Sequence, residues 1–294
     1  MPSLKQLRRR LRTVTSTKLI TRAMRSVAAS KLRKTQDRRI KAKPYVNQLQ
    51  SLVAQVLKNV SLEGQPLLQK RSTNKRLIVV FSSDRGLCGA FNATICRYVE
   101  ELYSQANKDE TSLYIVGKRA YSYFQKQKAQ IAGHHIGFGG DIDVPQILKV
   151  AQDIQSRFLS GEVDQVELVY NHSLSAMIYR PRHEVFLPLQ RDELLSSLGQ
   201  QESEELWETD YIFEPDPKTL LGELLPKFVE TKVLYTFIDA FSAEHQARML
   251  AMTTANENCS ELMDSLTLQL NKARQGIITK ELLEIVGGAE ALRG

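Results

Sequence analysis

Residues 3–43 contain neither glycine nor proline, and they open on Ser3-Leu4-Lys5-Gln6, the spacing of a capping box in which the serine caps the helix and the glutamine reaches back. Nothing signals an end before Pro44. Forty residues of helix make a rod of about 60 Å, and the other elements must be arranged around it. Leu4, Leu7, Leu11 and Val14 recur three and four apart; the stripe then slips past Lys18 and resumes at Ile20, Met24 and Val27, followed by Ala28 and Leu32. So narrow a seam suits one neighbouring helix. Pro44 is expected to kink the rod, with residues 45–60 still helical.

The far end of the chain has the same character. Asp216-Pro217 is a helix start, an acidic N-cap followed by proline at the first helical position. From there to Gly287-Gly288 the breaker signals are Gly222 with Pro226, and then Gly276, so about seventy residues, or ~105 Å, read as helix with one kink. Met252, Ala255, Cys259, Leu262 and Leu266 form its seam, continued by Gln269, Ala273 and Gly276, small or polar residues that admit a close partner. The last turns differ: Ile277, Ile278, Leu282, Leu283, Ile285 and Val286 spread around most of the circumference, and a helix apolar on all sides must be buried. Either it folds back on its own domain, or another protein supplies a socket.

Between these helices the period changes. Strand-like runs at 77–81, 112–116, 131–138 and 163–170 alternate with helix-like stretches at 90–105, 118–128 and 145–158, the pattern of a mostly parallel sheet clothed by helices, a Rossmann-like domain. Residues 183–189 add an edge strand, and the polar run 190–205 reads as an exposed loop. The division expected is an N-terminal coiled-coil helix (1–60), a linker (61–75), a central α/β domain (76–215) and a C-terminal coiled-coil helix (216–294).

Charge is polarised along the chain. Residues 1–43 hold fifteen Lys and Arg against one acid, Asp37, a net +14; the whole chain is +7, so the remainder carries −7. Such a basic segment calls for an acidic partner. Nucleic acid is one option, although interleaved aromatics and a reading motif are missing; a protein with acidic loops is the other. Composition is that of a soluble globular protein, with 42% hydrophobic and 25% charged residues. No run approaches the ~18 apolar residues of a membrane helix, and the start lacks a secretory pattern. A cytosolic chain is expected.

Candidate sites are few. "SSDRGLCGAF", residues 82–91, lies where a first strand gives way to a helix, a place where open parallel sheets bind ligands, but it matches neither the dinucleotide nor the triphosphate fingerprint. A site built on Asp84, Arg85 and Cys88 is one reading. A glycine turn in which Asp84 and Arg85 pair locally is the other. Asp141 and Asp143 offer a weak metal motif, while Asp143 before Val144-Pro145 is also a ready helix cap. Cys88, Cys96 and Cys259 have no metal or disulfide spacing, and the five histidines read as structural or surface residues.

Taken together, "TKLITRAMRSVAASKL" near the start, "NKARQGIITKELLEIVGGAEAL" at the end and "SDRGLCGAFN" between them resemble the gamma-subunit family of F-type ATP synthases, and the likeness runs from end to end. The resemblance implies an antiparallel coiled coil of the two terminal helices entering a cylinder of three alpha and three beta subunits. It also implies an α/β domain at the foot, against the epsilon subunit and the membrane c-ring. The apolar tip, Ile277 to Val286, would turn inside an apolar sleeve. Met24 would lie near an acidic beta-subunit loop, and Arg274 and Gln275 would be the polar pair that contacts another. The chain would then be a non-catalytic rotor shaft coupling proton flow to ATP synthesis, with no cofactor, no nucleic acid and no small-molecule substrate of its own. It would lie peripherally on the cytoplasmic face of a bacterial inner or thylakoid membrane. Ala90 departs from the second glycine frequent in relatives, and the redox cysteine pair of some photosynthetic relatives is not present. The alternative outside the resemblance is a free-standing cytosolic α/β enzyme with helical dimerisation arms.

Overall fold

The computed structural model describes residues 3–58, 64–71, 75–175, 178–199, 214 and 216–291. The chain divides into two compact units, residues 1–28 with 248–294, and residues 29–247.

The first unit is an antiparallel pair made by the beginning of helix α1 (Leu4–Lys58) and the latter part of the last helix, α6 (Pro217–Ala291). The capping box forms: Ser3 N donates to Gln6 Oε1 at 3.1 Å and Gln6 N donates to Ser3 Oγ at 3.3 Å. Its seam is more regular than hydrophobicity suggests. Leu4, Leu7, Leu11, Val14, Lys18, Thr21, Met24 and Ala28 are buried or half-buried, while Ile20 and Val27 are exposed. The expected slip at Lys18 does not occur; a polar layer keeps the heptad in phase. Asn256 Nδ2 donates to Lys18 O at 2.9 Å and to Thr21 Oγ1 at 3.2 Å. On α6 the half-buried Met263 takes the place expected of Leu262, which is exposed. A single half-buried amide in the seam fixes register, because any slip strands it without partners.

The second unit is a three-layer α/β body. Strands β1 (Arg76–Phe81), β2 (Thr111–Val116), β3 (Ile131–His135), β4 (Gln165–Ser173) and β5 (Tyr179–Leu187) form one sheet in the order β3-β2-β1-β4-β5, with β5 antiparallel. In β1, Leu77, Val79 and Phe81 enter one core, and Ile78 and Val80 the other. That is the period-2 alternation of a strand covered on both faces. Helices α2 (Phe91–Gln105) and α3 (Lys118–Lys126) cover the second face through Ile95, Val99, Ala120 and Phe124. The first face packs on α4 (Val144–Leu159) and on the body's shares of α1 and α6, with Val53, Leu57, Ile147, Val229 and Phe237 among the fully buried residues.

Pro44 and Pro226 lie within helices that continue past them, as expected. Other expectations are corrected: α6 runs through Gly287-Gly288 to Ala291. Residues 191–199 of the expected exposed loop form helix α5 (Arg191–Gly199), anchored by the buried Leu194; residues 200–205 lie outside the described residues. The segment around Gly64 and Pro66 is tied down, because Leu67 and Leu68 enter the main core and Leu189 N donates to Leu67 O at 2.8 Å.

Candidate functional site

In a sheet of this order the strands lead off in opposite directions on either side of β1 and β4, and the crevice beyond their carboxyl ends is where such folds bind ligands. Here α6 occupies it. Phe237 meets Phe81, the last residue of β1, edge to face at 4.9 Å, and Phe138 stands 5.0 Å from Phe237 and 5.9 Å from Phe241. One turn further on, Ala243 and Ala247 pack on Cys88 and Phe91. The chain's own helix fills the space a cofactor would take.

The loop above it is a joint. Asp84 does not pair with Arg85. Its Oδ1 accepts from Lys118 N at 2.9 Å, and its Oδ2 accepts from Gly137 N at 3.1 Å and Gly139 N at 2.8 Å, stitching together the loops that follow β1, β2 and β3. Arg85 is exposed. Cys88 is buried, and Asn92 Nδ2 donates to its Sγ at 3.1 Å. The three residues of the enzymatic alternative therefore face different tasks. Ala90 adopts an ordinary right-handed conformation (φ −81°), so the backbone there makes no demand for glycine.

Asp143 caps α4, accepting from Gln146 N at 3.4 Å, and Asp141 pairs with Lys31 at 2.7 Å. Among the described residues no group of three or more His, Cys, Asp or Glu is placed to hold a metal ion. The Cys96 thiol is pushed up to about 12 by burial and by the nearby Glu100 carboxylate, so it stays protonated near neutrality.

The exposed features lie on the helical pair. Between Lys5 and Arg25, α1 carries eight Lys and Arg and no acid, with six of the eight exposed. Met24 is half-buried in the seam. On α6 the last half-buried positions are Leu270 and Ala273, and every residue from Arg274 to Ala289 is exposed. That stretch holds Arg274 and Gln275 and then Ile277, Ile278, Leu282, Leu283, Ile285 and Val286, whose relative exposures run from 42% to 68%. Nothing in the described chain covers the tip, so the option of folding back is not realised.

Sequence reasoning missed a buried polar cluster on β4, α1 and α6. Asp239, 2% exposed, bonds His172 Nδ1 through Oδ2, and Arg39 Nη1 lies 3.2 Å from its Oδ1. The same Nη1 donates to Ser173 O, so its link to Asp239 is a charge contact more than a hydrogen bond. The one signal available was an acid amid the apolar run of residues 233–243.

A family profile described as ATP synthase matches residues 3–292. The ATP synthase gamma chain of Desulfitobacterium hafniense is 38% identical over 292 residues, 99% of this chain and 100% of that one. That of Pelotomaculum thermopropionicum is 38% identical over 293 residues, with the same coverage. Among solved structures, a chain of the Euglena gracilis mitochondrial ATP synthase (OSCP/F1/c-ring, rotational state 3) superposes with TM-score 0.66 at 20% identity, over 98% of this chain and 94% of that one. A chain from the central stalk/c-ring of the Tetrahymena thermophila mitochondrial ATP synthase gives 0.61 at 24% identity, over 80% and 99%. With a sheet whose ligand crevice is filled by its own helix, a paired-helix seam, a bare apolar tip and full-length relatives of one kind, this chain belongs to the ATP synthase gamma-chain family.

Proposed function

We propose that the chain is the central rotor shaft of an F-type ATP synthase, coupling proton flow through the membrane sector to ATP synthesis and hydrolysis in the catalytic head. One observation carries this reading: the final turns of α6 are apolar around most of the helix and exposed at every residue from Arg274 to Ala289, a surface that demands a foreign housing. The partners are the alpha and beta subunits around the helical pair, with the epsilon subunit and the c-ring at the α/β body. The chain itself does no catalysis. No helix of the described residues is long and apolar enough to cross a membrane, which fits a peripheral position on the cytoplasmic face of a bacterial inner or thylakoid membrane.

The mechanism follows from symmetry. A single asymmetric shaft inside a threefold head presents a different face to each catalytic site, so the three sites differ at any instant. Turning the shaft drives each beta subunit in sequence through open, loose and tight states, because each face stabilises a different conformation. The source of work is about 2.3 kcal/mol per charge per 100 mV of membrane potential. Several charges pass per ATP, and the paired seam with its Asn256 layer resists twisting better than one helix. The eight-cation stretch of α1 attracts acidic beta-subunit loops, one of them near Met24. The forked donors of Arg274 beside Gln275 suit a loop carboxylate.

Replacing Arg274 and Gln275 together with alanine should leave the fold of the chain untouched, since both are exposed, and should lower coupled ATP synthesis or assembly of the complex. Normal synthesis by the double variant in membrane vesicles removes the pair from the mechanism. All three cysteines are free thiols, Cys88 and Cys96 buried and Cys259 half-buried, and Cys96 stays protonated, so a dithiol reductant should leave the ATPase of the assembled enzyme unchanged. A clear activation or loss would contradict that.

A further inference from the structure

Where α6 passes through the α/β body, every residue from 236 to 247 is buried, three turns of helix enclosed on all sides. An apolar helix in such a sleeve is held by packing without direction. Here the sequence is T-F-I-D-A-F-S-A-E-H-Q-A, half of it polar. Asp239 and Gln246, seven residues apart, lie on one face. Asp239 bonds His172 of β4 beside Arg39 of α1, and Gln246 Oε1 accepts from Ser173 Oγ of β4 at 2.8 Å. His245 points about 100° away from Gln246, with its Nε2 at 2.7 Å from Gly140 O in the loop before α4. A Cβ at Gly140 would stand 2.8 Å from the His245 ring, so that loop is fitted to it.

Apolar residues of equal volume would often be as stable in such a place. What they could not supply is an angular lock. We propose that this collar is a rotational key, in which Asp239 and Gln246 are positioning residues that fix the azimuth of α6 in the α/β body, so that a turn of the body is carried into the helix without slip. The proposal rests on the rotor reading above. Two body elements, β4 and the loop before α4, hold the helix by directional bonds from two sides, with Arg39 of α1 adding a charge contact, and a slip of one residue would turn Asp239 away from both His172 and Arg39.

The test uses the complete ATP synthase reconstituted in vesicles with Gln246→Met, Ser173→Ala, Ser173→Thr and Asp239→Asn chains. ATP hydrolysis and ATP-driven proton pumping are measured per assembled complex, with torsional stiffness from single-molecule rotation. Gln246→Met and Ser173→Ala each keep shape and delete one bond. They should leave hydrolysis near the parent value, soften the shaft, and lower protons pumped per ATP about threefold, the scale of one net hydrogen bond. Ser173→Thr keeps the hydroxyl and should retain pumping. Asp239→Asn should be worse than either, and if it does not assemble the other three still decide. A purely structural collar would lower the yield of complex and leave pumping per ATP and stiffness unchanged, which overturns the key. A parent chain that supports no coupled pumping at all would overturn the rotor reading instead.

Discussion

Replacing Gly117 with alanine should cost the α/β body about 3–5 kcal/mol, a large share of the stability of an ordinary domain. Gly117 links β2 to α3 with φ +100°, a conformation that a residue bearing a Cβ adopts only under strain. Strain is the smaller term. The added Cβ would stand 2.2 Å from Ser82 O and 2.7 Å from Ser82 C and Oγ, and the first two of these are main chain. They cannot retreat, because Ser82 N donates to Val116 O at 2.8 Å and Ser82 Oγ accepts from Ala120 N at 3.0 Å. Ser82 also directly follows the fully packed β1. Denaturant unfolding of the full chain, followed by a signal from the sheet, should show the midpoint fall or the folded state disappear. Gly276→Ala is the control of opposite sign. Nothing lies within 4 Å of its added Cβ and it sits inside a helix, so the change should be neutral or stabilise by up to about 1 kcal/mol. Equal effects at the two positions would show that the contact at Ser82 is not what matters.

Local signals carried much of this fold. The Ser3/Gln6 box, the Asp143 and Asp216 caps and the alternation of β1 each involve residues a few positions apart, and each forms as the spacing requires. Failures came where a distant segment decides. The seam of α1 uses Lys18 and Thr21 because Asn256, 235 residues beyond Thr21, supplies their bonds; a count of apolar residues passes over both. Leu194 turns a polar stretch into helix α5 because a core elsewhere receives it. The same limit hid the meaning of "SSDRGLCGAF": its position announces a ligand crevice, and only the folded chain shows α6 already inside it. The tip was legible for the opposite reason. Its surplus of apolar side chains owes nothing to the rest of the chain, so it stands out in the sequence and remains bare in the fold.

That bareness gives the second large effect. Changing Ile278, Leu282 and Ile285 together to serine alters one stripe of the tip, at positions i, i+4 and i+7. In the isolated chain these side chains are 48%, 57% and 68% exposed, so the triple change should shift stability by no more than about 0.5 kcal/mol per site and should reduce aggregation. In a sleeve they have roughly half their apolar surface still to bury, about 1 kcal/mol each, or ~3 kcal/mol in all, equivalent to roughly a hundredfold in affinity. Titrating the variant chain against alpha and beta subunits should show that loss, together with impaired ATP-driven proton pumping in whatever complex forms. Lys280→Ser with Glu284→Ser serves as control, because that exposed pair is separated by 3.6 Å and contributes little in water. The housing is apolar only if the two sets differ. A triple variant that assembles and pumps like the parent would mean that the tip turns without touching its surroundings, and its apolar girdle would then need another explanation.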